Sequence, residues 1–288
     1  MIATIARLLS TLALLAASPA TAEPALWRVA DADTTIYLFG TIHALPEGFE
    51  WRDARVDRAI DEADELVIET LIPEEPEAAA RMLIAMGMAG AQPPLVERIA
   101  PEERAVLRAM IARSAVPEFV LDRLETWAAA LMLVGVVLAD LDLDAESGVE
   151  EALEARFAAA GKPIGGLETP REQLGFLDSA DEGAQRELLA SVVDDPAATR
   201  ANYQAMLDAW SAGDEAGIAA SFEDDLRRSE PLREALLVRR NANWARWIAE
   251  RMERPGTAFV AVGAAHLVGR ERVQDFLDEA GIVAERVE

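Results

Sequence analysis

The 288-residue chain has no cysteine, a single lysine (Lys162) and two histidines. Without cysteine it can form no disulfide, so its core must suffice for stability. It can carry no thiol nucleophile and no lipid on an N-terminal cysteine. Any metal would have to be held by His, Asp, Glu or carbonyl oxygens. Positive charge is also scarce: 27 Lys and Arg stand against 52 Asp and Glu, a formal charge of −25. Such a surface repels phosphate backbones, which argues against nucleic acid as a partner. It favours solubility and draws cations or basic peptides, although most of these charges read as solvated helix faces. Beyond the N-terminus no segment offers ~20 uninterrupted apolar residues, so no membrane span is predicted.

The first 22 residues form a separate unit. Arg7 supplies positive charge, Leu8 to Ala17 an apolar stretch, and Ala20-Thr21-Ala22 a small-x-small cleavage site. This is the pattern of a secretory signal peptide, with Glu23 the expected first mature residue. It predicts a periplasmic or secreted protein with no stable membrane insertion once the signal is removed. The remainder, 23–288, suits one domain, and 51% apolar residues allow a sizeable core.

Leu26 to Val29 and Thr35 to Gly40 read as strands joined by a polar turn, with Gly40 breaking the second. A helix over Arg55 to Ala63 and a strand at Glu65 to Glu69 follow, in βαβ order. A long helical stretch comes next, over Pro76 to Met88, Pro101 to Arg113 and Leu121 to Leu138. Ser147 is placed to cap a further helix ending at Gly161. Pro163 to Leu167 reads as a short strand, and Pro170 as the first turn of a helix. Pro231 to Glu253 has the spacing of one long helix, stopped by Pro255-Gly256. Thr257 to Val262 is apolar on both faces, which suits the centre of a sheet. A helix over Arg270 to Ala280 and a strand over Ile282 to Val287 close the chain. The fold class is therefore α/β (α+β): a sheet flanked by helices, with a large helical insertion.

Chemistry gathers around the histidines. His43 and His266 each have a glycine three residues earlier, Gly40 and Gly263, and each follows an apolar strand. With 17 glycines in 288 residues, a chance match is about 6% per histidine. Ligands of α/β sheets bind beyond the carboxyl ends of strands. Glycine there lets the backbone turn sharply and approach a ligand closely. Two such turns on neighbouring strands would bring the histidines together. Glu69 ends a strand, where a carboxylate is costly to bury unless paired, protonated or metal-bound. Glu168 follows Gly165-Gly166-Leu167 in the same setting, with helix capping before Pro170 as the alternative. Arg240 and Asn241 lie on the long helix; Arg can hold a carboxylate, and Asn can donate or accept a hydrogen bond. The six tryptophans read as packing residues.

Five blocks in this order resemble the TraB/GumN family: Leu38-Phe39-Gly40-Thr41-Ile42-His43, Leu66-Val67-Ile68-Glu69, Gly166-Leu167-Glu168-Thr169, Arg240-Asn241, and Phe259 to Leu267 containing Gly263-Ala264-Ala265-His266. That family includes the Tiki metalloproteases and is similar, at a distance, to erythromycin esterases. One departure is Arg272-Val273, where the family often has a glycine-valine or glycine-leucine pair. The resemblance implies a central mixed β-sheet and a site of His43, Glu69 and His266. In Tiki-like members these would ligate a divalent metal (Mn, Co or Zn) for peptide hydrolysis, with open coordination positions. Glu168 or a free carboxylate would then serve as general base and Arg240 would stabilise developing negative charge. In the esterase-like variant His43 activates water without a metal, with His266 and Glu69 orienting it. The expected partner is a peptide or small-molecule substrate. The alternative is a non-catalytic protein that sequesters peptide, metal or haem, or that serves polysaccharide export or signalling.

Overall fold

The computed structural model describes residues 22–72, 76–143, 147–193, 196–227 and 229–288; the expected signal segment, apart from Ala22, lies outside them. The chain opens with β1 (Leu26–Ala30), β2 (Thr34–Thr41), α1 (Ala54–Glu62) and β3 (Glu65–Thr70). Helices α2 (Pro76–Gly87), α3 (Arg104–Arg113), α4 (Glu118–Leu121), α5 (Thr126–Asp140) and α6 (Val149–Ala159) separate β3 from β4 (Ile164–Glu168). Then come α7 (Pro170–Asp178), α8 (Glu182–Val192), α9 (Pro196–Ser211), α10 (Glu215–Arg227) and α11 (Glu230–Arg233). A π turn (Glu234–Val238) leads into α12 (Arg239–Arg251) and β5 (Gly256–Gly263). A 3-10 turn (Ala264–Leu267), α13 (Val273–Glu279) and β6 (Glu285–Arg286) complete the fold.

The strands form one mixed sheet in the order β4-β3-β5-β2-β1-β6. The four from β4 to β2 run parallel, while β1 and β6 add antiparallel at one edge. β5, whose Ala258 to Val262 are all buried, takes the centre as its two apolar faces require. It lies between β2 and β3, so the β2–α1–β3 crossover skips a strand and is not the adjacent βαβ unit that chain order suggests. Register then sets the site: Gly40 pairs with Val262 and Thr41 with Gly263. Both Gly-x-x-His blocks therefore leave neighbouring parallel strands at the same edge. Thr70 pairs with Glu168, which brings the ends of β3 and β4 to that edge too.

One face of the sheet packs Phe39, Phe259, Trp51 and Trp210; the other packs Leu38, Val260, Trp244 and Leu277. A third core lies within the helical layer, around Leu107, Trp127, Leu133 and Leu189. Four local expectations change. Gly40 does not break β2, which runs on to Thr41 because its backbone is ordinary extended chain. Ser147 does not cap α6: Gly148 holds the cap position, and the Ser147 hydroxyl donates to the Leu45 carbonyl instead (2.8 Å). The long helix is helical from Glu230 to Arg251 but carries the π turn just before Arg240. The final strand is only two residues long.

Glycines test the helical packing. A Cβ on Gly87 would lie 2.2 Å from that of fully buried Ala128 on α5, whereas one on exposed Gly135 meets nothing within 4 Å. Gly87→Ala should therefore cost about 1–3 kcal/mol through overpacking. Gly135→Ala should gain up to about 1 kcal/mol from helix propensity. Urea unfolding of both variants checks the contrast; equal effects would contradict the packing of α2 on α5.

Candidate active site at the sheet's carboxyl edge

The strand-end chain turns inward as soon as β4 and β5 finish. Thr169 caps α7 with a capping box to Glu172, so it is Thr169, not Glu168, that serves the helix. Glu168 is left to point into the protein, where it is buried. There the Arg240 guanidinium meets it with Nε at 3.0 and 3.1 Å from its two oxygens. The same guanidinium reaches Glu69 Oε2 through Nη2 at 2.6 Å. Trp244, one turn along α12, donates its indole N–H to Glu168 (2.9 Å) and lies under the guanidinium, 4.7 Å from ring centre to Cζ. Glu69 is completed by the Gly263 amide on Oε1 (2.7 Å) and by the Gln173 side chain on Oε2 (3.2 Å).

His266 joins this network from the 3-10 turn and is buried. Its Nδ1 is 2.6 Å from Asn241 Oδ1, and Asn241 Nδ2 donates to the Glu271 carbonyl. That second bond fixes the amide with its oxygen toward the histidine, so Nδ1 must donate. The Nε2 lone pair then faces Arg240 Nη1 at 3.3 Å, with Glu69 Oε1 3.6 Å away. Burial, with the Arg240 and His43 charges adding and Glu69 opposing, pulls the His266 pKa down to about 3. Burial would keep the Glu69 carboxyl protonated, but His266, Arg240, His43 and the Gly263 amide outweigh it and hold its pKa at about 2. For Glu168 burial prevails over Arg240, and its pKa is raised.

His43 stands differently. Its side chain is 72% exposed, in a recess beside Gly263: a Cβ on that glycine would lie 3.7 Å from both His43 Nε2 and His266 Cδ2, and 3.2 Å from Glu69 Oε1. Gly263 thus serves close approach and not a special turn, since neither it nor Gly40 has positive φ. His43 Nδ1 pairs with Glu150 Oε1 at 2.8 Å. Glu150 also accepts from the Thr41 hydroxyl (2.5 Å), while its Oε2 is buried with no partner. Desolvation in the recess lowers the His43 pKa, but the Glu150 hydrogen bond and charge, with Glu69 and Glu151, more than offset it and set it at about 9.

Glu69, Glu168, Arg240, Asn241 and His266 therefore form one network, with His43 across Gly263 on a separate partner. Sequence reasoning missed Glu150, Thr41, Gln173 and Trp244. Thr41 lay inside a Gly-x-x-His block; Glu150 was hidden because an acidic residue at a helix start is ordinary. Trp244 was read only as packing. The residues as they stand do not fit a divalent cation. Both Glu69 oxygens and His266 Nε2 already face donors, and the positive charge between them is the guanidinium. Among the described residues no three His, Cys, Asp or Glu side chains are placed to hold a metal. Nor does any described helix have the length and apolarity to cross a membrane.

The TraB/PrgY/gumN family profile matches residues 25–286. No curated protein and no solved structure matches the chain significantly.

The two histidines should shape stability in opposite directions. Free imidazole titrates near 6.5, and folded His266 only near 3, so the unfolded chain takes up the proton first and stability falls as pH drops through that window. Folded His43 keeps its proton to about 9, so its contribution is full below 6.5 and is lost as pH rises to 9. Urea midpoints followed against pH should fall away on both sides of about 6.5. His266→Gln should flatten the acid side and His43→Gln the alkaline side. Unchanged slopes in both variants would refute the assigned protonation states.

Proposed function

The chain belongs to the TraB/PrgY/gumN family, and on that premise we propose that it is an exported hydrolase of peptide or ester bonds with His43 as general base. The single observation that carries this reading is the Glu150–His43 pair, held at the open carboxyl edge of β2 beside a buried charge network. Glu150 holds Nδ1–H, so the ring offers Nε2 on the Gly263 side when unprotonated. In that state Nε2 removes a proton from water as the oxygen adds to the substrate carbonyl carbon. The imidazolium so formed returns the proton to the leaving nitrogen or oxygen as the acyl bond breaks. Glu150, anchored by Thr41, stabilises that imidazolium.

The buried network keeps the floor of the recess rigid. Glu69 grips the Gly263 amide and Arg240 grips Glu69, so the strand end beside His43 has one position. No step is assigned to a metal, because Arg240 already supplies the positive charge at Glu69 and His266. Export is supported by the N-terminal pattern of Arg7, Leu8 to Ala17 and Ala20-Thr21-Ala22.

A chromogenic ester and a peptide library provide the test. His43→Ala should lower kcat/KM by about 10²–10⁴. In the parent protein kcat/KM should rise with pH along a limb near the His43 pKa of about 9. Glu150→Gln should move that limb to lower pH, since it removes the charge that raises the pKa. A chelator should leave the rate unchanged. Loss of turnover on chelation with rescue by a divalent ion would instead require Arg240 to withdraw, and would replace this mechanism with a metal-dependent one. No turnover of any substrate, with ligand binding retained, would favour a binding protein.

A further inference from the structure

A cavity of about 810 Å³ opens next to the His43 segment, within the volume range of small-molecule sites. Leu45, Phe49, Trp51 and Leu143 give it apolar and aromatic walls. It is attached directly to the catalytic candidate. Gly148 in its lining packs so closely that a Cβ there would be 2.4 Å from the His43 carbonyl oxygen, and Ser147 bonds Leu45. The charged side chains in its lining are all acidic: Glu47, Asp142 and Glu151. Asp142 is paired with Arg200 at 3.2 Å. Glu47 forms no ion pair among the described residues, and the cation acting on Glu151 is His43. Arg52, the cation beside Trp51, is drawn to Asp57 at 3.6 Å.

From this combination we propose that the cavity is a specificity subsite for a cationic side chain, so that the substrates are basic peptides or esters of arginine-like or amine-bearing acids. The proposal rests on the hydrolase reading above and deepens it. Aromatic and aliphatic walls take the flat face and methylene stem of a guanidinium side chain, and the Glu47 and Glu151 carboxylates take its charge. Burial, reinforced by the neighbouring Glu150 charge, raises the Glu151 pKa, with the His43 charge and backbone hydrogen bonds opposing it. The formal charge of −25 would also draw such substrates toward the surface.

The test separates binding from turnover. N-acetyl-arginine amide and N-acetyl-norleucine amide, of similar length but different charge, are titrated into the His43→Ala variant by calorimetry. The arginine amide should bind about tenfold tighter, a difference of about 1.4 kcal/mol. The preference should shrink with added salt and be largely lost in Glu47→Gln, an exposed residue whose replacement leaves the fold untouched. Glu151→Gln should weaken it too, while still reaching back to the start of α6. Parent-protein hydrolysis of arginine and norleucine esters should show the same preference in KM. Equal binding of the two amides, or an unchanged preference in both variants, would overturn the subsite. Preferential arginine binding without any ester or peptide hydrolysis would uphold the subsite and sink the hydrolase reading alone.

Discussion

One buried guanidinium holds this end of the molecule together. Arg240 stands between Glu69 and Glu168, which come from different strands, and no other cation is as close to either among the described residues. Two carboxylates so deeply buried could not both stay ionised without it. Such an ion pair contributes little net stability against well-packed apolar residues. Breaking it, however, leaves an uncompensated buried charge at a cost of about 3–5 kcal/mol. What it brings is geometry: the ends of β3, β4 and β5 are tied to α12 through a rigid, planar fork.

Helical periodicity turns that one residue into a platform. Arg240, Asn241 and Trp244 lie on adjoining faces of α12, and each reaches a different part of the network: the carboxylates, His266 Nδ1, and the second side of Glu168. Trp244 also packs its ring 4.3 Å from that of His266. The π turn over Glu234–Val238 lies immediately upstream and sets the rotational phase with which these residues enter the core. His266 is thereby fixed in tautomer, position and charge. His43, outside the network, keeps the freedom to gain and lose a proton.

Much of this was legible in the chain. Alternation and apolar runs marked β2, β3 and β5, because strands buried on both faces have little room for other residue types. The two Gly-x-x-His blocks pointed to a common edge, and β2 and β5 do pair there in parallel. What the pattern concealed was tertiary. Nothing local to Gly40-Thr41-Ile42-His43 or Gly263-Ala264-Ala265-His266 says that one ring is exposed and the other sealed, since that depends on α12 covering only the second. Glu150 looked like an ordinary helix-start acid until the start of α6 met the end of β2. The order of strands could not be read from the βαβ rhythm, because β5, the last long strand, inserts between two of the first. The Arg240 bridge was equally invisible, as both of its carboxylates are remote in sequence.

That late insertion has a consequence for how the protein comes into being. A chain delivered N-terminus first presents β2 and His43 almost at once, but their neighbour β5 and the covering helix arrive only near the end. Until then the sheet lacks its middle strand, and β2 and β3 have no partner in common. Long-range parallel pairing of this kind is slow to form. The recess beside Gly263 is thus among the last parts of the sheet to form. A nascent or truncated chain carries His43 without the strand and helix that shape its surroundings, so the recess exists only once assembly is complete.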